Sequence, residues 1–195
     1  MSASQDIDPA EGLFVAIVGP SGAGKDALIR GLGARLGEAD GVFTVRRVVT
    51  RPADSFEDHD TLAESEFLLA RRRGLFALSW AAHGLHYGVP RDVDARVASG
   101  CVVVCNISRA VVAEVRARYA RSLVVLVTAR PETLAARLAA RGREEIEARR
   151  ERLDRAFASE TAFEPDATIF NDGALDEAVA RFADLVASRR WSARP

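Results

Sequence analysis

The run LFVAIVGPSGAGKDALIR, Leu13 to Arg30, holds three structural signals in succession. Leu13 to Val18 is wholly apolar and has the length of a buried strand, and Gly19, Gly22 and Gly24 punctuate a tight turn. Ala27, Leu28, Leu32 and Leu36 then recur on one face of a helix. Strand, glycine turn and helix form the frame of a phosphate-binding loop. The glycines let backbone N–H groups turn inward and approach an anion, and the helix N-terminus adds the positive end of its dipole. Gly19, Pro20, Ser21, Gly22, Ala23, Gly24, Lys25, Asp26 and Ala27 are therefore the expected nucleotide-binding set, with Lys25 as a mobile charge for the outer phosphates.

One position departs from the usual pattern. After the lysine, such loops carry a Ser or Thr whose hydroxyl holds Mg²⁺, and here the residue is Asp26. A carboxylate there can hold Mg²⁺ directly or through water. The competing reading is a helix-start carboxylate stabilised by the dipole, worth about 0.3 to 1 kcal/mol.

Outward from the loop, apolar strand-like runs alternate with helical patterns, the mark of a parallel sheet covered on both faces. Strands are expected at Leu13–Val18, Val42–Val49, Cys101–Cys105, Leu123–Thr128 and Ala167–Phe170. Helices are expected at about Lys25–Leu36, Arg109–Tyr119, Pro131–Ala140, Glu144–Glu160 and Ala174–Arg189. The fold class is α/β, a three-layer phosphate-loop kinase fold on a five-stranded parallel core sheet. Residues 1–12 read as a flexible terminus and 13–190 as one domain. Ligands of such sheets gather beyond the carboxyl ends of the strands.

Two segments break the alternation. Residues 51–90, with TRPADSFEDHD and ALSWAAHGLHYGVP, mix polar, aromatic and glycine residues and read as an inserted subdomain. Residues 137–153, RLAARGREEIEARRERL, crowd arginines around a helix, glycine, helix passage. Salt bridges on a solvated face account for such a pattern, and so does a lid that closes over a triphosphate.

The chain has 195 residues and a formal net charge of −1, which fits a globular domain and argues against partners bound by bulk electrostatics, whether nucleic acid or membrane surface. The first dozen residues lack the basic start and apolar core of a signal peptide, so a cytoplasmic protein is expected. Cys101 and Cys105 sit in CVVVC, a strand-like run without zinc-ligand spacing, and read as reduced core residues. His83 and His86 find no third ligand at a suitable spacing and read as loop residues, and Trp80 as packing.

GPSGAGKD, TRPADSFEDH, ALSWAAHGLHYGV, RLAARGRE and FNDGAL, in that order, resemble the plan of the guanylate kinase family from Leu13 to about Leu185. Within it they resemble the ribose 1,5-bisphosphate phosphokinases of phosphonate breakdown, which share the GKD loop, the SR after the central strand and the NDG near the C-terminus. The resemblance implies ATP and Mg²⁺ as cofactors, with Asp26 at the metal. It makes Arg137, Arg141, Arg143 and Arg152 catalytic lid arginines, and Asn171 and Asp172 the loop beside the adenine. Asn-Asp-Gly is equally a good turn and helix cap. Arg51 and Tyr87 match the residues that grip the acceptor phosphate, and Glu57 or Asp58 could equally contribute to acceptor or metal binding.

Guanine-reading positions of the wider family depart here. Arg47 replaces a serine, His59 a tyrosine and Asn106 an aspartate, so the carboxylate acceptors for the guanine N1–H and N2 amine are missing. The added cation at Arg47 favours an acceptor with more phosphate than a nucleoside monophosphate. Ribose 1,5-bisphosphate is then the leading small-molecule acceptor, a guanylate kinase the runner-up, and an inactive guanylate-kinase-like binding domain the third reading. A homodimer is left open.

Overall fold

The computed structural model describes residues 12–52, 58–140 and 163–191. The first strand, β1 (Leu13–Val18), is buried along its whole length and sits at the centre of a five-stranded sheet. The others are β2 (Val42–Thr44), β7 (Val102–Asn106), β8 (Ser122–Thr128) and β9 (Ala167–Phe170), in the spatial order β2-β7-β1-β8-β9. All pairings are parallel. Covered on both faces, these strands read as unbroken apolar runs rather than as alternating ones.

Successive side chains point to opposite faces, and β1 feeds two cores. Leu13, Val15 and Ile17 pack with Leu28 and Leu32 of α1 (Lys25–Arg35) and with Ala178, Val179, Phe182 and Val186 of α6 (Leu175–Trp191). Phe14, Ala16 and Val18 join Val93 and Val97 of α3 (Asp92–Ala98) and Val112 and Val115 of α4 (Val112–Arg118). Phe14, fully buried, stacks on Tyr119 with ring centroids 4.4 Å apart. Truncating such a ring to alanine costs about 3 to 5 kcal/mol.

A second sheet of four strands carries β3 (Arg47–Val49), β4 (His59–Thr61), β5 (Phe76–Ala82) and β6 (Leu85–Pro90), in the order β4-β3-β6-β5. Between β4 and β5 lies α2 (Glu64–Arg72), whose Phe67 is buried against Phe76 and stacks on His86. The last helix to place is α5 (Pro131–Ala139), which opens on a proline whose fixed φ suits a first turn.

The single strand expected over Val42–Val49 is two. Val45 gives its N–H to Val104 O at 2.9 Å, the last bond to the core sheet. Arg46 then turns out to Asp58 and Asp60 at 3.2 and 3.0 Å, and Arg47 pairs anew with His59. The run expected as one strand changes sheet at the Arg46-Arg47 pair, and the smaller sheet starts at Arg47, ahead of Arg51. The helix expected over Arg109–Tyr119 opens as a 3-10 turn at Arg109–Val111, with Ser108 Oγ accepting from the Ala110 N–H at 3.3 Å. Helices α2 and α3 carried too few apolar repeats to be expected. Residues 1–11, the helix expected at Glu144–Glu160 and the lid beyond Ala140 lie outside the described residues.

Candidate active site

Gly19 to Asp26 bridges β1 and α1 at the carboxyl edge of the core sheet. Two of its glycines are obligatory for different reasons. A Cβ on Gly19 would lie 2.0 Å from Val127 O, so only glycine lets the loop leave β1 so close to β8. Gly24 has φ +86°, and a Cβ there would lie 2.4 Å from Asn171 Nδ2. Lys25 folds back over the loop and donates from Nζ to Gly19 O and Pro20 O, both at 2.9 Å. It is the one lysine in a chain with 27 Lys and Arg residues.

From the far side, the turn after β9 clasps this loop. Asn171, 2% exposed, donates Nδ2 to Ala23 O at 2.9 Å, and its own N–H bonds Thr128 O at 2.8 Å. Asp172 accepts from the Arg130 N–H at 2.8 Å and from Thr133 Oγ1 at 2.9 Å. These donors, the Arg130 N–H first, hold its carboxyl below the ordinary aspartate range. The two side chains thus tie the loop and the start of α5 to one turn. Helix α5 in turn delivers Arg137, whose Nη1 donates to Gly22 O at 3.5 Å. Arg141, Arg143 and Arg152 lie outside the described residues, as does Glu57.

The smaller sheet supplies the opposite wall. Arg47 and His59 are cross-strand partners, Val49 pairs with Tyr87, and Tyr87 with Trp80. Partners share a face, so Arg47, His59, Tyr87 and Trp80 stand on one side of this sheet, away from His86 and the α2 contact. The Trp80 and Tyr87 rings stack at 5.4 Å, and the Arg47 guanidinium lies 5.8 Å from the Tyr87 ring centroid. Arg47 is 8% exposed, and its Nη2 approaches Asp26 Oδ1 at 3.9 Å. That contact directs this face at the phosphate loop. Thr61 Oγ1 donates to Arg51 O at 3.0 Å, fixing the backbone of Arg51 just beyond β3.

His59 is 2% exposed. Its Nδ1 meets Asp60 O at 3.2 Å, which requires Nδ1 to carry the proton, while buried Nε2 has no hydrogen-bond partner among the described residues. An unsatisfied buried polar atom costs about 1 to 3 kcal/mol. Asn106, at the end of β7 and 8% exposed, donates Nδ2 to Asp26 Oδ1 at 3.0 Å. Sequence gave no sign of this bond, because the two residues are brought together only by the pairing of β7 with β1. Cys105 lies beside the same charges but is fully buried, and burial pushes its thiol up to about 12, which leaves it unreactive. Cys101 is also a free thiol.

Among the described residues no three His, Cys, Asp or Glu side chains cluster to hold a metal. Mg²⁺ does not need such a cluster, since it binds through one or two carboxylates with phosphates and water. Asp26 fits that demand: its side chain is 30% exposed, and both of its contacts fall on Oδ1.

Two groups of relatives bear on this geometry. A guanylate kinase structure from Anaplasma phagocytophilum shares the fold, with a TM-score of 0.71 over 93% of this chain and 88% of that one at 16% identity. The family described as AAA domain matches residues 15–158. The ribose 1,5-bisphosphate phosphokinase PhnN of Acidiphilium cryptum (strain JF-5) is 45% identical over 91% of this chain and 94% of its own. This chain belongs to that family. A second member, from Methylobacterium radiotolerans, is 50% identical over 87% of this chain and 94% of its own.

The expected fold, a guanylate-kinase-like α/β domain on a five-stranded parallel sheet, is thus the observed one, and the protein is a phosphotransferase of the ribose 1,5-bisphosphate phosphokinase family. Phosphate-loop kinases of this kind bind ATP. No helix among the described residues is long and apolar enough to cross a membrane.

Proposed function

We propose that this kinase transfers the γ-phosphoryl group of ATP to ribose 1,5-bisphosphate, giving 5-phospho-D-ribose 1-diphosphate and ADP in the cytoplasm. An oxygen of the sugar 1-phosphate forms the new P–O bond, and the bond from the γ-phosphorus to the β,γ-bridging oxygen breaks, so ADP leaves with that electron pair. Such transfer needs alignment and charge neutralisation rather than a covalent intermediate. The N–H groups of the loop and Lys25 cradle the β- and γ-phosphates. Arg137, which lies beside Gly22 of the loop, would neutralise charge that develops on the transferring group. Asp26 would hold Mg²⁺, which would supply charge neutralisation at the outer phosphates.

On the facing wall, Arg47 and Arg51 take the phosphates of the acceptor, Tyr87 a phosphate oxygen, and His59 Nε2 a hydroxyl of the ribose. The observation that carries the acceptor assignment is the buried pair of Arg47 and His59 on the wall facing the loop, where a guanine would need acceptors for its N1–H and amine. A buried cation there suits an anionic sugar rather than a base.

ADP release measured with ATP and Mg²⁺ tests this, with ribose 1,5-bisphosphate, GMP or ribose 5-phosphate as acceptor. Turnover should be confined to the bisphosphate. Comparable turnover of GMP would assign the wall to a nucleotide instead.

A further inference from the structure

In phosphate-loop enzymes Mg²⁺ is commonly shared between a loop hydroxyl and an aspartate at a strand end. This chain has a carboxylate at the first position, Asp26, and at the end of the neighbouring strand β7 a carboxamide, Asn106. Ile17 of β1 and Asn106 of β7 are register partners, so the strand end and the loop that leaves β1 adjoin. The negative charge is conserved in number and moved in place.

We infer that Asp26 and Asn106 are an exchanged pair, in which the metal-facing carboxylate sits on the loop and Asn106 is the positioning residue that aims it. The hydrogen bond decides the direction of the exchange. Asn106 Nδ2 donates to Asp26 Oδ1 at 3.0 Å, and Arg47 Nη2 approaches the same oxygen at 3.9 Å. Oδ2 has no partner among the described residues, so it is the oxygen turned to a metal at the phosphates. An aspartate at 106 would set two carboxylates at hydrogen-bond distance, and like charges there oppose one another. A serine at 26 would leave the buried Asn106 amide without its acceptor and the metal without a carboxylate. Either half of the common arrangement is therefore harmful alone, and the two are compatible together.

This inference rests on the kinase reading only in requiring Mg²⁺-dependent nucleotide binding, and it is independent of the acceptor. ADP affinity is measured by calorimetry across a Mg²⁺ series, beside the melting temperature without ligand, for wild type, Asp26→Ser, Asn106→Ala and Asp26→Ser with Asn106→Asp. Asn106→Ala should weaken the Mg²⁺-dependent part of ADP binding by about tenfold, the usual scale for an outer-shell partner. Its Mg²⁺-free ADP affinity should not change, a separation that a purely structural role would not produce. Asp26→Ser should weaken the same part at least as much, and the double variant should recover most of it. A double variant no better than Asp26→Ser, or Asn106→Ala with unaltered Mg²⁺ dependence, overturns the exchange. Wild-type ADP binding that ignores Mg²⁺ overturns it together with the metal role of Asp26, and leaves the acceptor assay to judge the rest.

Discussion

The five-stranded sheet is covered on both faces by helices, whereas the four-stranded sheet is covered by α2 on one face and on the other packs Trp80 against the core and brings Arg47, beside His59 and Tyr87, to the phosphate loop. In the first, polar groups are largely closed off by the fold, with Lys25 on loop carbonyls, Asn171 Nδ2 on Ala23 and Asp172 on the start of α5, although the buried Asn171 Oδ1 has no hydrogen-bond partner among the described residues. In the second, His59 keeps a buried nitrogen that the fold does not satisfy. A side of the site that handles the common substrate of many kinases can be prebuilt from backbone. Each side also holds a buried polar atom without a partner among the described residues, at a cost in stability.

The sharpest way to break this contrast is at Lys25. Its hydrogen bonds to the described residues go to loop carbonyls, so Lys25→Ala should leave the melting temperature within a few degrees of wild type. Turnover should fall by about 10² to 10³, the usual cost of one such electrostatic contact, about 3 to 4 kcal/mol. As the one lysine, Lys25 can also be followed by amine-directed labelling, which ATP should suppress. Near-normal turnover would remove the donor side from the phosphate loop.

Acceptor discrimination is the next effect in size. GMP in this pocket would lose the carboxylate partners of its base donors, each unpaired group costing about 1 to 3 kcal/mol. Its kcat/KM should then be at least about tenfold below that of ribose 1,5-bisphosphate. Equal values would show that the facing wall reads a base after all.

His59 sharpens the comparison further, because there structure and function should separate. His59→Phe removes the unsatisfied nitrogen while filling the same buried space. Without ligands the variant should melt no lower than wild type, and the KM for the acceptor should rise by about tenfold, a hydrogen bond's worth. Loss of stability with an unchanged KM would make His59 a core residue.

The two sheets were not equally legible in the sequence. The core strands β1, β8 and β9 and the helices α1, α5 and α6 lie close to their expected bounds, since unbroken apolar runs and helical repeats are local signals. The second sheet was invisible as a sheet: β3 and β4 are three residues each, β3 pairs with β6 across the intervening β4, α2 and β5, and within Val42–Val49 a single pair, Arg46 and Arg47, marks the change of partners. The same holds within the site. The glycines and Lys25 announce themselves by spacing, and Arg47 and His59 by departing from a family pattern. What holds Asp26 depends on Asn106, 80 residues away, and no local pattern encodes that contact.

The smallest effect concerns the joint between the two regions. Helix α3 follows directly on β6 of the smaller sheet, and its Asp94 is gripped by α4 and the residue after it, on the core side. Arg118 donates to Asp94 from Nε at 2.9 Å and from a terminal nitrogen as well, and Tyr119 OH donates at 2.8 Å. These bonds, Arg118's first, hold the Asp94 carboxyl below its ordinary range, while burial and the same carboxylate push the Tyr119 hydroxyl up. Because the folded value is depressed, the joint's contribution is present above the unfolded aspartate value of about 4 and fades as pH falls through the folded one. The groups are partly exposed and solvent-screened, so Asp94→Asn should cost no more than about 1 kcal/mol, or roughly 2 to 4 °C in melting temperature at pH 7. As pH falls below about 4 the gap between variant and wild type should narrow, and it should close once pH lies below the depressed folded value, where the wild-type carboxyl is protonated too. A gap that persists into acid would mean that the aspartate acts by its shape and not its charge. A KM for the acceptor that follows the melting temperature would show that the smaller sheet depends on this joint to hold its wall against the phosphate loop.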